Sequence, residues 1–312
     1  MVSESKQQNF FDRLELAVRT IVSPIEFGRS QNEDNYLVID ANGRARYMID
    51  QHDVWTQIDG WPAGHVRLAI LDGMGGHSNG RQAAENTVTG MLAIPAAREL
   101  KKFARDLETL HLRLHRQMHI GGAEPGCTLT ALEIPPVGPA LLFHVSDSRL
   151  YVIDEDKAMC LTVDHVPATK FAMRGMIDEQ EWNWQVHEQS GYQIAQAFVL
   201  GNTLNDSALH NNELDERLYE LHDGNLPPFL KGRGDRRFLS LERGKVYLLA
   251  SDGLWHLQHP RRFIQRWPKI LGHRDKPLKT MLNDLFMELI LESNEDAGLH
   301  GDNSTAIAFR LF

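Results

Sequence analysis

Three apolar runs of the sequence end in an aspartate at a turn rich in glycine or serine. Asp72 follows the run in LAILDGMGG, Asp147 follows the one in LLFHVSDSR, and Asp252 follows the one in VYLLASDGLW. Apolar runs of this length are typical of buried strands, so each aspartate is expected at the rim of a sheet. Magnesium and manganese prefer oxygen ligands, and a few carboxylates on different strands meet that preference.

Two further acidic positions stand immediately before apolar runs, where a sheet rim is again expected. They are Asp302 in HGDNSTAIAF and the pair Glu33 and Asp34 in RSQNEDNYLVI. Gly73, directly after Asp72, lets a backbone carbonyl approach an ion closely because it has no side chain. Any single Asp-Gly or Asp-Asn pair is more often a plain turn. Five acidic positions at comparable strand ends, however, favour a cation site.

The elements that must position these side chains are short strands and long amphipathic helices. Apolar and β-branched runs predict strands at Val66–Leu71, Thr128–Ile134, Leu141–Val145, Val246–Ala250 and Thr305–Leu311. Helical spacing predicts one helix over Lys101–His119 and another that starts near Asn79. A third helix near the C-terminus has an apolar face formed by Met281, Leu285, Phe286, Leu289 and Ile290.

The order of these elements predicts α+β layering, with helices packed outside antiparallel sheets. Two stretches, Asp40–Gly64 and Thr203–Arg237, are less regular. As a hypothesis, these two stretches influence the choice of substrate.

The composition limits the class of protein. Asp and Glu number 42 against 33 Lys and Arg, and the resulting net charge of -9 disfavours a general nucleic-acid binder, which needs a basic face. No stretch approaches the roughly 18 consecutive apolar residues of a membrane span, and the N-terminal sequence has no pattern of a secretory signal. Cys127 and Cys160 are the two cysteines, too few for a disulfide framework. A cytoplasmic protein without membrane or nucleic-acid partners is expected.

Seven short motifs, taken in order, resemble those of the type 2C (PPM, metal-dependent) protein serine/threonine phosphatases, in particular their bacterial members. They are RSQNED, DGMGG, GCTLTA, VSDSRLY, DH, SDGLW and DNST, and they run from Arg29 to Thr305. The resemblance implies an α+β fold, a four-layer αββα sandwich in which two antiparallel β-sheets are flanked by helix pairs. Because ligands from Glu33 to Asp302 must meet, it also implies a single catalytic domain over residues 1–312.

The resemblance further implies a site for two divalent cations, Mn²⁺ or Mg²⁺. Asp72 matches the aspartate that bridges both metals, and Gly73 matches the glycine whose carbonyl binds one of them. The remaining metal ligands of the family are matched by Glu33, Asp252 and Asp302.

Three other positions match residues that act around those cations. Asp34 matches an acid that orders metal-bound water, Arg29 matches the phosphate-binding arginine, and Asp147 matches a residue that some members use for a weaker third metal. A water held by two cations loses its proton readily and attacks phosphorus in line with the leaving serine or threonine oxygen. A guanidinium can hold two phosphate oxygens at once. The expected partners are phosphorylated proteins, the products of a serine/threonine kinase.

Two positions depart from the family pattern. Met74 stands where many eukaryotic relatives carry a histidine that could protonate the leaving oxygen, so the general acid is unassigned. His77 is a candidate for that role, although a histidine at a helix entry or on the surface is the more ordinary interpretation. Ser146 stands where glycine usually precedes the Asp-Ser-Arg motif, which puts the third site at Asp147 in doubt. The histidines are interpreted as scattered, which argues against zinc.

Two other functions stay open beside an active protein phosphatase. A catalytically silent phosphoprotein-binding module on the same fold is expected to lack one or more metal ligands, whereas this chain has the full set. A metal-dependent hydrolase of small phosphate esters cannot be distinguished by sequence, because it needs the same ligands.

Overall fold

The structure, a computed structural model, describes residues 14–23, 29–74, 79–119, 124–188, 194–205, 214–295 and 301–312. Within these ranges the strands are β1 (Leu14–Ile21), β2 (Asn35–Ile39), β3 (Arg44–Ile49), β4 (His52–Gln57), β5 (Val66–Leu71), β6 (Gly73–Met74), β7 (Gly126–Cys127), β8 (Leu129–Ile134), β9 (Ala140–Val145), β10 (Arg149–Ile153), β11 (Ala158–Cys160), β12 (Gln196–Ala197), β13 (Gly201–Asn202), β14 (Arg236–Leu239), β15 (Val246–Ala250) and β16 (Ser304–Leu311). The helices are α1 (Asn79–Leu92), α2 (Leu100–Met118), α3 (Pro167–Met173), α4 (Glu179–His187), α5 (Pro260–Ile264), α6 (Trp267–Leu271) and α7 (Leu278–Glu295). Short 3-10 turns cover Pro228–Leu230 and Asp252–Leu254.

Two antiparallel sheets form the centre of the fold. One has seven strands in the order β14-β9-β8-β5-β2-β3-β4, and the other has five in the order β1-β16-β15-β10-β11. All five strands predicted from apolar runs are present, and β5 and β15 have the predicted bounds. The predicted helices correspond to α1, α2 and α7.

Successive side chains along a strand point to opposite faces of the sheet and so pack in two different apolar cores. On β2, Leu37 and Ile39 pack in the same cluster as residues of α1 and α2, whereas Tyr36 and Val38 pack in the cluster between the two sheets. The sequence of a strand that is buried on both faces is a continuous apolar run, because neither face meets water. The layers are therefore helix, sheet, sheet and helix, which confirms the predicted αββα sandwich.

The helices cover the outer faces of the two sheets. On α2, Leu107, Leu110 and Leu114 are buried against the seven-stranded sheet, as their helical spacing predicts. The five-stranded sheet is covered by α5, α6 and α7, with Met281 and Leu285 of α7 fully buried. Among the helices of the described ranges, none is both long and apolar enough to cross a membrane. The assignment of residues 1–312 to one domain stays a prediction.

The register of the sheets brings the loops with acidic residues to one edge. Asn35 at the start of β2 pairs with Leu71 at the end of β5, and Ala250 at the end of β15 pairs with Ala306 near the start of β16. In an antiparallel pair the end of one strand meets the start of the other. A residue just before β2 or β16 therefore lies near a residue just after β5 or β15.

The stretch Asp40–Gly64, predicted to be irregular, instead contains the hairpin of β3 and β4. Its tip residues, Asp50 and Gln51, have φ of 49° and 68°, the sign that a two-residue type I′ turn requires. The hairpin was missed because β4 is an edge strand with mostly exposed polar residues. Of Thr203–Arg237, the described residues form mainly loop, with the turn Pro228–Leu230 and the start of β14.

Three histidines recur at every fourth position of α2 and its C-cap, so the interpretation of the histidines as scattered is wrong here. They are His111, His115 and His119. His111 Nδ1 accepts a hydrogen bond from the Val199 N–H at 2.8 Å, and His115 Nδ1 donates to the Val199 carbonyl at 2.8 Å. These rings hold Val199 at a φ of 71°, a conformation that strains a β-branched residue.

Burial makes His111 a source of acid sensitivity. Burial lowers the pKa of His111 to about 4, below the value of about 6.5 for a histidine in an unfolded chain. Between these values the unfolded chain binds more protons than the folded one, so the free energy of unfolding decreases as the pH falls from about 7 to about 4. We expect His111→Gln to flatten this dependence in urea unfolding measured across pH. His52→Gln, at an exposed histidine, is the matched control, and equal slopes in both variants would contradict the assignment.

Candidate metal centre

Four aspartates from four loops approach one another at the shared edge of the sheets. They are Asp34 before β2, Asp72 after β5, Asp252 after β15 and Asp302 before β16. Asp72 and Asp252 lie close enough for the charge of Asp252 to raise the pKa of Asp72. Carboxyl groups this close oppose each other's ionisation because like charges repel.

The pKa values of three of these carboxyl groups lie above their ordinary range. Burial is the largest cause in each: it raises the pKa of Asp34 to about 7, and it raises the pKa values of Asp72 and Asp252. Neighbouring carboxylates raise all three further. A bound cation would oppose both effects by favouring the ionised forms.

Two carboxylate oxygens of the cluster are buried without a hydrogen-bond partner among the described residues. They are Oδ1 of Asp34 and Oδ1 of Asp252. A buried polar atom without a partner costs about 1–3 kcal/mol, and more when it is charged. A divalent cation takes several oxygen ligands, so the residues present fit such an ion.

Arg29 lies at the mouth of the cluster. Its Nη1 is 3.1 Å from Oε2 of Glu33, and its Nε is 3.2 Å from Oδ1 of Asp302. The side chain is 46% exposed, so one part contacts the carboxylates and another reaches solvent. Glu33 is fixed by its own backbone, because its N–H donates to Oδ1 of Asn303 at 2.8 Å. This hydrogen bond joins the loop before β2 to the loop before β16.

Gly73 lies where three backbone segments pack closely. A Cβ at this position would lie 2.4 Å from the carbonyl carbon and oxygen of Gly80 and 2.7 Å from the carbonyl oxygen of Glu33. The Gly73 N–H donates to that Glu33 oxygen at 3.2 Å. Only glycine allows the start of α1 and the loop before β2 to approach Asp72 this closely.

Asp34 is held by the opposite sheet. Its Oδ2 accepts a hydrogen bond from Ser251 Oγ at 2.7 Å, and Ser251 Oγ accepts one from the Thr305 N–H at 2.9 Å. Asp34 is 3% exposed. The hydrogen bonds keep one of its oxygens engaged and leave Oδ1 for another partner.

Asp147 is also buried near this edge. Burial, followed by the neighbouring carboxylates of Asp252 and Asp164, raises its pKa well above the ordinary value. The preceding Ser146 adopts a φ of 82°, the conformation that glycine tolerates best. His165 fixes this strained residue through two hydrogen bonds. Its ring Nδ1 accepts from the Ser146 N–H at 3.1 Å, and its backbone N–H donates to the Ser146 carbonyl at 2.9 Å. The departure from glycine at Ser146 is therefore accommodated.

The motifs VSDSR and DH interlock behind the cluster. Arg149 Nη2 donates to Oδ2 of Asp164 at 2.7 Å and to the Val186 carbonyl at 2.7 Å. His165 Nε2 donates to Oδ2 of Asp235 at 2.9 Å. Both pairs are almost fully buried. They fix the loop that carries Asp147, a positioning role that the sequence does not reveal because the partners are distant in the chain.

The hairpin tip supports the other side of the site. Gln51 Oε1 accepts from the Asn32 N–H at 2.8 Å, and Gln51 Nε2 donates to the Asn32 carbonyl at 2.8 Å. This paired contact fixes the backbone next to Glu33 and Asp34. It was not foreseen, because the hairpin itself was not predicted.

One histidine belongs to the cluster although sequence reasoning did not select it. His256 Nδ1 lies 3.5 Å from Oδ2 of Asp302 and 4.0 Å from Oδ2 of Asp252. The His256 hydrogen bond and the Arg29 charge lower the pKa of Asp302, although burial acts in the opposite direction. The four-residue spacing from Asp252 to His256 in SDGLWH was the available signal, because such a spacing spans one helical turn.

The general acid stays unassigned. His77, the earlier candidate, lies outside the described residues. Met74 lies in β6 and pairs with Gly126.

Comparisons with known proteins agree with this geometry. No family model matches the chain. Protein phosphatase PhpP of Streptococcus pneumoniae is 30% identical over 206 residues, which cover 62% of this chain and 70% of PhpP. The crystal structure of the serine/threonine phosphatase Stp1 from Staphylococcus aureus has a TM-score of 0.63 at 17% identity, covering 99% of this chain and 100% of Stp1.

A third comparison concerns a structure with metals bound. The catalytic domain of the serine/threonine protein phosphatase PstP, crystallised with two manganese ions, has a TM-score of 0.56 at 20% identity, covering 96% of this chain and 98% of PstP. At these identities the solved structures establish the fold, and the relation to PhpP establishes the family. The chain belongs to the type 2C (PPM) family of bacterial protein serine/threonine phosphatases.

Proposed function

We propose that this phosphatase hydrolyses phosphoserine and phosphothreonine in proteins at a site that holds two divalent cations, Mn²⁺ or Mg²⁺. The observation that carries the proposal is the crowding of Asp72, Asp252 and Asp302 at one sheet edge beside Arg29. Buried carboxylates that repel one another are stabilised as ions by cations that lie between them. The two manganese ions of the related PstP support the same number of cations here.

The proposed ligand roles are those that the family resemblance implies. Asp72, at the centre of the cluster, would bridge both cations, and the Gly73 carbonyl would bind one of them. Glu33, Asp252 and Asp302 would complete the two sites. Asp147 lies on the loop after β9, close enough to Asp252 for the two charges to interact. It would hold a weaker third cation.

Two residues of the chain would act directly on the substrate and the nucleophile. When bound, the cations supply a water of lowered pKa and neutralise negative charge on the phosphoryl group. Asp34, with Oδ2 held by Ser251, has Oδ1 left to order that water. Arg29 would exchange Glu33 and Asp302 for two phosphoryl oxygens, because those carboxylates would then be engaged by cations.

The proposed partners are phosphorylated proteins made by a serine/threonine kinase, and the proposed location is the cytoplasm. The net charge of -9 favours this over nucleic-acid binding. Cys127 and Cys160 are both free thiols, as expected in a reducing compartment.

The test is phosphate release from a phosphothreonine peptide, with Mn²⁺ or Mg²⁺ and with chelator, beside a panel of small phosphate esters. We expect turnover of the peptide that requires the cation and stops with chelator. A folded protein that binds the peptide without turnover with any cation would instead be a silent binding module. Turnover confined to small esters would assign a metabolite hydrolase.

A further inference from the structure

We propose that His256 supplies a nitrogen ligand to the cation that Asp252 and Asp302 bind, which makes this site selective for Mn²⁺ and other transition metals over Mg²⁺. This inference rests on the proposed function, because it needs a cation at that site. It adds a residue outside the acidic set that the motifs predict.

The distances suit a shared ion. Two ligand atoms that each lie about 2.1 Å from one cation are about 3.0 Å apart when adjacent in an octahedron and about 4.2 Å apart when opposite. His256 Nδ1 is 3.5 Å from one oxygen of Asp302 and 4.0 Å from one oxygen of Asp252, within this range. Ligand atoms of the three residues can all lie within 4.8 Å of one another.

The backbone holds His256 in this place. Its N–H donates to the Asp252 carbonyl at 2.9 Å, so the two residues stand one turn apart on the same side. The neighbours Trp255 and Leu257 are 2% and 3% exposed, and Trp255 stacks on the buried Arg149 at 4.5 Å. With both neighbours anchored in the core, the backbone of His256 is fixed beside Asp252.

The ligand chemistry gives the selectivity. Mg²⁺ takes oxygen ligands almost exclusively, whereas imidazole suits zinc, iron, nickel and copper, and affinity for nitrogen-containing sites rises from manganese toward these metals. A site of two carboxylates and one imidazole resembles those of transition metals more than an all-oxygen magnesium site. The other cation, held by Asp72, Glu33 and the Gly73 carbonyl, keeps oxygen ligands alone.

A structural role offers the alternative explanation. His256 could serve only to orient Asp302 through the 3.5 Å contact between them, without touching the ion. In that case its loss would weaken every cation alike, because Asp302 would be misplaced for all of them. If His256 coordinates the ion directly, its loss would instead weaken the binding of transition metals more than the binding of Mg²⁺.

The experiment uses the whole chain as wild type, His256→Gln and His259→Gln, the last at an exposed histidine three residues away. Calorimetry measures the Kd for Mn²⁺ and for Mg²⁺, and pulsed EPR of bound Mn²⁺ detects coupling to a coordinated imidazole nitrogen. We expect nitrogen coupling in wild type and His259→Gln but not in His256→Gln. We also expect His256→Gln to weaken Mn²⁺ binding at least about tenfold, because even the loss of a group that supports a ligand costs that much, and to weaken Mg²⁺ binding by a smaller factor.

Several results would overturn the inference. Absent nitrogen coupling in wild type that binds Mn²⁺ would exclude coordination by histidine. An equal loss of Mn²⁺ and Mg²⁺ affinity in a folded His256→Gln would leave only the orienting role. If the wild-type protein bound neither cation, the proposed metal site itself would be contradicted. This outcome distinguishes a failure of the proposed function from a failure of this inference. Circular dichroism of each variant verifies the fold.

Discussion

Asp252→Asn is expected to lower kcat/KM for a phosphothreonine peptide by at least about a thousandfold, equivalent to about 4 kcal/mol of transition-state stabilisation. The amide keeps the shape of the side chain but removes a negative charge from the proposed site for two divalent cations. It also removes the charge that raises the pKa of Asp72. The measurement is steady-state kinetics with saturating Mn²⁺.

The same substitution should leave the metal-free protein at least as stable as wild type. Asp252 raises the pKa values of Asp34 and Asp72 by repulsion, so its neutral replacement relieves crowding in the absence of cations. A thermal melt in chelator therefore separates lost catalysis from lost folding. Asp59→Asn, at an exposed aspartate, is the matched control and should keep wild-type kinetics. Activity of Asp252→Asn within tenfold of wild type would contradict the two-cation site.

Arg67→Met is expected to reduce the free energy of unfolding by about 3–5 kcal/mol, because Glu133 loses its buried arginine and keeps only His65 as a partner. The guanidinium is fully buried, binds Glu133, and donates to the carbonyls of Met91 and Ile94 at 2.7 and 2.9 Å. It therefore joins β5 and β8 to the C-terminal end of α1. Methionine fills much of the volume but satisfies none of these acceptors. Urea unfolding followed by circular dichroism measures the change.

Two further variants test the cause of that loss. Arg274→Met removes an exposed partner of Glu155 and should cost less than about 1 kcal/mol. The double variant Arg67→Met with Glu133→Leu removes both charges and should recover a large part of the stability lost in Arg67→Met. A double variant as unstable as the sum of its single variants would show that packing, and not the unpaired charge, dominates.

The sequence predicted the core of the fold and the place of the acidic residues for one physical reason. Strands buried on both faces appear as continuous apolar runs, and their ends are marked by Asp72 and Asp252. The antiparallel register then places the start of β2 beside the end of β5, and the start of β16 beside the end of β15. The metal roles of these residues stay predictions.

Contacts between distant segments could not be predicted in the same way. Gln51 fixes the loop of Glu33, and His165 fixes Ser146, through hydrogen bonds that depend on the assembled tertiary structure. The hairpin of β3 and β4 has exposed polar residues and lacks the apolar run that marks a buried strand. His256 was missed because its four-residue spacing from Asp252 was not used, and its contact with Asp302 depends on the assembled tertiary structure.

The position of β16 has a consequence for synthesis on the ribosome. This strand, Ser304–Leu311, lies between β1 and β15, so β1 joins its sheet only through a strand made nearly 300 residues later. Translation adds about 5–20 residues per second, and β1 waits for that partner throughout. Asp302 emerges together with β16. A nascent chain that ends before Asp302 therefore lacks the complete acidic cluster, and the proposed metal site forms only after this strand has been synthesised and inserted.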